Sequence, residues 1–156
     1  MYNFFMNSFV NRHINKKMHI QPVSYPLWMT DVVYKLIYRY ARSFDEACAA
    51  FPYYRPYADM FHDAKLASQV INMAANFGEG WLIPAEMSAL AESGVHNIIS
   101  LQPFACISNH VISKGIERKI RQIYPKLNLL FLDFDGGTSE ANVFNRLHFM
   151  MGNEGA

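Results

Sequence analysis

The chain has 156 residues, a length that suits a single domain. About half of the residues are apolar and 17% are charged, which excludes a globally disordered chain. The net charge of +1 excludes a broad electrostatic attraction to nucleic acid or to a membrane surface.

The N-terminal residues do not resemble a targeting sequence or a membrane-spanning segment. Their aromatic residues precede the basic ones, which is the reverse of a signal peptide, and no apolar run in the chain is long enough to span a membrane. Met6 and Met18 are alternative starts. We therefore expect a cytoplasmic protein with a ragged N-terminal segment over residues 1–25 and a single α/β domain over 26–156.

Three helices are predicted in the first part of this domain. Trp28, Val32, Leu36 and Tyr40 recur every four positions and predict a helix over Leu27–Tyr40. A second amphipathic helix is predicted over Asp63–Phe77, ended by Gly78, and a third over Trp81–Glu92.

The second part alternates between strands and helices. Strands are predicted over residues 95–102 and 127–134, and helices over 109–124 and 139–151. This order predicts an α/β fold with a small parallel sheet and flanking helices, half-Rossmann or flavodoxin-like, with extra N-terminal helices. Because only two strands are clear, another copy or another chain is expected to complete the sheet.

Polar residues follow both predicted strands, at the edge where open parallel sheets usually carry function. Cys106 precedes a helix N-terminus, which would favour a thiolate able to bind metal, and His110 follows four residues later. A small buried cysteine and a capping histidine are the alternative interpretation. Asp133 and Asp135 could bind a cation or serve as a nucleophile and an acid, or could simply cap the next helix.

Two short strings invite a functional interpretation but do not require one. Asp-Phe-Asp-Gly-Gly-Thr after the second strand looks like the first motif of haloacid-dehalogenase-type phosphatases, although an extra glycine displaces the threonine and little chain follows. The string from Gly78 to Trp81 suggests a constrained corner. It is either a ligand contact or a tight turn with the tryptophan buried.

Three longer strings resemble one family. GEGWLIPAEM, QPFACISNH and LDFDGGTSEANVFNRL look like the C-terminal region of the acyl-CoA dehydratase activase-related proteins, in the same order and at similar spacing. The resemblance covers about Leu66–Met151. Departures include Ala105, where the family usually has glycine before the cysteine.

The resemblance implies a role in an iron–sulfur system. Family members are similar to subunits of 2-hydroxyacyl-CoA (2-hydroxyglutaryl-CoA) dehydratases, whose flavodoxin-like domains hold a four-iron cluster on cysteines and receive an electron from an activase. By motif, Cys106 would be a cluster ligand. The other motif positions, of unassigned role, are Gly78, Glu79, Gly80, Trp81, Gln102, Pro103, Asn109, His110, Asp133, Asp135, Ser139, Glu140, Asn145 and Arg146.

The sequence thus leads to three hypotheses about function. The first is a fragment or subunit of a dehydratase or activase-like iron–sulfur system, inactive alone, whose cluster forms only with ligands from a homo-oligomer or a companion chain. One chain has two cysteines, Cys48 and Cys106, too few for a cluster held by four. The second is a non-catalytic α/β interaction module, or the remnant of a truncated gene, without a cofactor. The third is a small haloacid-dehalogenase-like phosphatase that uses Asp133 and Asp135.

Overall fold

A computed structural model describes residues 2–152 as a mixed α/β structure. No helix within this range is both long enough and apolar enough to cross a membrane. In chain order the elements are α1 (Tyr2–Met18), α2 (Leu27–Cys48), α3 (Met60–Val70), α4 (Leu82–Glu92), β1 (Asn97–Pro103), a π-helix (Ser108–Ser113), α5 (Lys114–Ile123), β2 (Asn128–Phe134) and α6 (Glu140–Gly152).

The first helix corrects the expectation of a ragged segment over residues 1–25. Met6, Val10 and Ile14 of α1 recur every four residues, and all three are buried. They pack in one cluster with Met60 and Trp81, on the elements that follow α2. Tyr2–Met18 is therefore a helix that belongs to the helical core. The basic residues near its end made the apolar side hard to identify from the sequence.

Helix α2 is longer than predicted and turns an unexpected side to the core. Tyr34 and Ala41 are buried, and the Tyr34 hydroxyl donates to Asp59 and accepts from the backbone N–H of Met60, both at 2.9 Å. Burial, followed by the hydrogen bond to Asp59, raises the pKa of Tyr34. We call its solvent-facing side the outer face of α2; it consists of Trp28, Met29, Val32, Val33, Leu36, Tyr40 and Phe44, all exposed.

Helix α3 ends at Val70, seven residues before the predicted end at Phe77. Ile71 is extended, with φ −135° and ψ 155°, and the side chain of Asn72 accepts a hydrogen bond from the backbone of Ala74. The asparagine therefore supports a turn that competes with further helix. Gly78 does have a positive φ, of 54°, but it lies in the turn before α4.

Strands β1 and β2 pair in parallel, which confirms the predicted parallel sheet. On one face, Ile98 of β1 and Leu129 of β2 pack against Ile116 and Ile120 of α5 in a second core cluster. Side chains of β1 on the other face, such as Leu101, are exposed. Whether the complete fold is half-Rossmann or flavodoxin-like stays a prediction.

The segment after β1 is helical from Ser108, but it begins as a π-helix rather than an α-helix. The π-helix runs directly into α5, and a hydrogen bond of 2.7 Å between the Ser100 and Ser113 hydroxyls joins it to β1 inside the core. Wider π-helical turns are rare and frequently occur at functional sites. This one brings the segment after Cys106 against the end of the sheet.

Candidate functional site

The loop that carries Cys106 is anchored to the ends of both strands. The Phe104 backbone N–H donates to the Phe134 carbonyl at the end of β2, and the Cys106 N–H donates to the Pro103 carbonyl, each at 3.1 Å. Between them, Ala105 has a φ of 62°, in the left-handed region that glycine adopts without strain. The loop is therefore a constrained turn at the carboxyl edge of the sheet.

The first turn of the π-helix surrounds the cysteine with polar groups. The Asn109 side-chain amide donates to the Cys106 sulfur at 3.1 Å. The His110 backbone N–H and its Nδ1 both lie 3.0 Å from the Cys106 carbonyl. Cys106 itself is half-buried and forms no disulfide. The sulfur thus has a side-chain hydrogen-bond donor, of the kind that orients and tunes metal-bound thiolates.

An ion pair extends the site towards β2. Lys114 Nζ lies 3.1 Å from Asp133 Oδ1 and 3.4 Å from Oδ2, and His110 Nε2 lies 3.7 Å from Oδ1. His110 therefore lies near both the Cys106 carbonyl and Asp133, at the edge where the two parallel strands end. Lys114 was missed because helical periodicity placed it on the solvated side of its helix.

Gln102 is the most deeply buried polar side chain near the loop. It is completely inaccessible to solvent, and its Nε2 donates to the Asn109 carbonyl at 3.1 Å. Its Oε1 is buried without a hydrogen-bond partner among the described residues. A buried acceptor without a donor costs about 1–3 kcal/mol, so this position favours an additional donor next to the π-helix.

The corner from Gly78 to Trp81 lies beside the same π-helix. A side chain at Gly78 would meet the Ser108 hydroxyl at 3.6 Å, and Glu79 and Asn109 line one groove. Trp81 is buried, and its ring N–H donates to Asn11 Oδ1 of α1 at 2.6 Å. Trp81 thus holds α1 against α4. Gly78 and Glu79, at the start of the corner, lie close to the candidate site.

The remaining motif residues follow β2 and do not join this group. Asp135 Oδ1 accepts from the Gly137 N–H at 2.8 Å and from the Thr138 hydroxyl at 2.9 Å, which closes the turn after the strand. Arg146 of α6 donates to the Phe131 carbonyl at 2.6 Å. The other three lie on or beside α6, exposed: Ser139, Glu140 and Asn145.

The described residues of one chain do not form a complete metal site. Within residues 2–152, no group of three or more His, Cys, Asp or Glu side chains is arranged to hold a metal ion. Cys48 is the last residue of α2, whereas Cys106 follows β1. A four-iron cluster on four cysteines therefore does not fit one chain, although Cys106 could supply one ligand.

Replacing Ala105 with glycine is expected to raise the free energy of unfolding by about 0.5 kcal/mol. The left-handed conformation costs a non-glycine residue roughly 1–2 kcal/mol, and the greater unfolded-state freedom of glycine offsets part of this gain. Urea denaturation of both proteins measures the difference. A loss of stability in Ala105→Gly would contradict the left-handed backbone at this position.

The chain was compared with known proteins in three ways. No family model, no curated protein and no solved structure matches it.

Proposed function

We propose that this chain is one component of an iron–sulfur system similar to the 2-hydroxyacyl-CoA dehydratases and their activases. In this proposal Cys106 supplies one ligand to a cluster whose other ligands come from further copies or from a companion chain. The observation that carries the proposal is the half-buried, unpaired Cys106 with the Asn109 amide directed at its sulfur. A four-iron cluster is expected because the order of the motifs resembles that of the activase-related proteins.

The chain's own residues have defined tasks in this proposal. The Asn109 amide orients the sulfur and stabilises negative charge on it. Lys114 and Asp133 form an exposed ion pair beside the loop, which keeps this edge of the sheet polar and open to another chain. Because one copy supplies a single thiolate here, the isolated chain is expected to be inactive as an enzyme.

The test is anaerobic reconstitution of the purified chain with iron and sulfide, followed by iron analysis, absorbance and electron paramagnetic resonance. Wild type is expected to bind a cluster shared between chains, so that the ratio of clusters to chains is below one. Cys106→Ser is expected to lose it, since serine keeps the size but is a much poorer iron ligand. Cys48→Ser is the matched control and should retain the cluster.

Equal iron content in wild type and Cys106→Ser would reject this proposal. A well-folded wild type that binds no iron at any oligomeric state would reject a cluster shared among copies of this chain, and would leave only a companion chain as the source of the other ligands. Circular dichroism of each variant separates loss of the ligand from loss of the fold.

A second candidate function is a non-catalytic interaction module, which the exposed outer side of β1 favours. Parallel sheets are normally covered on both faces, yet Ile99 is 44% and Leu101 is 55% exposed. Such a module would fold and associate without a cofactor, and Cys106→Ser would change neither property. The reconstitution experiment therefore distinguishes the two candidates.

A further inference from the structure

The outer face of α2 exposes seven large apolar side chains along a single helix. Trp28 is 67%, Leu36 is 63% and Tyr40 is 68% exposed, although they follow one another along a single helix. Scattered exposed apolar residues are ordinary, but a contiguous patch of this kind marks an interaction surface.

Helix α2 is apolar on two opposite sides. At 100° per residue, the buried residues Tyr34 and Ala41 lie about 160° and 140° around the helix from Leu36. One side of α2 therefore already packs on the core, while the other side carries the large apolar residues of the outer face. A helix that packs one side on the core normally has a polar opposite side, whereas this side of α2 carries seven large exposed apolar residues, so the outer face has the composition of an interface.

We propose that the outer face of α2 binds the same face of a second copy of this chain, with the two helices antiparallel. The large apolar side chains form a row at every fourth residue, and this row has its centre at Leu36. A twofold axis beside Leu36 would place it against Leu36 of the second copy. Trp28 would then lie opposite Phe44 of the second copy, so every member of the row gains a partner.

The dimensions of the face suit a dimer of this kind. Helix α2 has 22 residues and is therefore about 33 Å long. The three aromatic side chains are 47–68% exposed, so each has about half to two thirds of its roughly 150–250 Å² left to bury. Together with four partly exposed aliphatic side chains, they approach the area of about 800 Å² per partner that stable complexes use. Lys35 and Arg39 border the face, where their stems can cover apolar surface while their charges stay in water.

Sedimentation velocity over a range of concentrations tests the proposal on three proteins. Wild type is expected to dimerise, and Leu36→Glu to dimerise at least about 100-fold more weakly, because the twofold axis brings two carboxylates together. Phe149→Glu is the matched control: Phe149 is 76% exposed on α6, outside the proposed interface, so its variant should associate like wild type. A monomeric wild type, or a dimer that Leu36→Glu leaves intact, overturns the proposal.

Cross-linking tests the geometry. In a background with Cys48→Ser and Cys106→Ser, Leu36→Cys is expected to form an intermolecular disulfide on mild oxidation, because a residue beside a twofold axis meets its own copy. Lys35→Cys, one position away and pointing about 100° aside, should not. Equal cross-linking of both variants would overturn the antiparallel arrangement.

This inference does not depend on the iron–sulfur proposal. Cys106→Ser alone should dimerise as wild type does, whereas Leu36→Glu should lose the dimer whether or not iron is present. A dimer that forms only when Cys106 and iron are both present would be held by the metal and would contradict an interface on α2.

Discussion

Replacing Gly80 with alanine is expected to lower the free energy of unfolding by about 3 kcal/mol, towards the upper end of the cost of overpacking. An added Cβ would lie 2.1 Å from the Ala75 carbonyl oxygen and 2.9 Å from the carbonyl carbon. Neither atom belongs to a flexible side chain, so the backbone itself would have to move. The Gly80 N–H, which donates to the Phe77 carbonyl at 2.9 Å, would move with it.

Urea denaturation followed by circular dichroism measures this loss, with Gly115→Ala as the matched control. Gly115 lies near the start of α5, and an added Cβ there meets nothing within 4 Å. Alanine at that position should stabilise the helix by about 0.5–1 kcal/mol. Equal effects of the two substitutions would contradict the close approach of Gly80 to Ala75.

From Leu27 onwards the sequence predicted the order of helices and strands, but not which side of α2 is buried. The four-residue repeat of Trp28, Val32, Leu36 and Tyr40 identified α2 as a helix, yet those residues face solvent and Tyr34 faces the core. Periodicity reports that a helix has an apolar side, but it does not report whether that side is covered by the same chain. The exposure of this row is the reason for proposing a second copy.

Helix α1 was missed because its apolar side is not evident in the sequence, although the structure buries it. Its apolar residues are separated by polar and basic ones, and Asn7 is buried along with Met6. No local pattern of this strength distinguishes a packed helix from a ragged end. Its position depends on contacts with α3 and α4, which lie more than 40 residues away in the chain.

The candidate site was predictable where it depends on strand ends and unpredictable where it depends on helix geometry. Cys106 follows β1 and Asp133 lies at the end of the neighbouring parallel strand β2, so the topology alone brings them to one edge. The ion pair of Asp133 with Lys114 depends on the π-helix, whose wider turn changes the direction of side chains after His110. A prediction that assumes 3.6 residues per turn cannot place that lysine.

Replacing Trp81 with alanine is expected to cost about 4 kcal/mol of stability, the largest loss predicted for any substitution considered. Trp81 is 1% exposed and packs with Met6, Met60 and Ala67 in the helical core. Its removal leaves a cavity between α1, α3 and α4, and it leaves the side-chain oxygen of Asn11 without its donor. Both effects act on the contacts that hold α1 in place.

The other tryptophan provides a matched control, because Trp28 is 67% exposed. Both substitutions should be made in a Leu36→Glu background, so that association through α2 does not contribute to the measured stability. There Trp28→Ala should change the free energy of unfolding by less than about 0.5 kcal/mol. If both variants lost stability equally, Trp81 would not be the centre of the helical core, and α1 would have to be stabilised by other contacts. If only Trp81→Ala loses stability, the main role of the corner from Gly78 to Trp81 is to pack the tryptophan in the helical core. Any ligand contact at this corner would then have to come from Glu79.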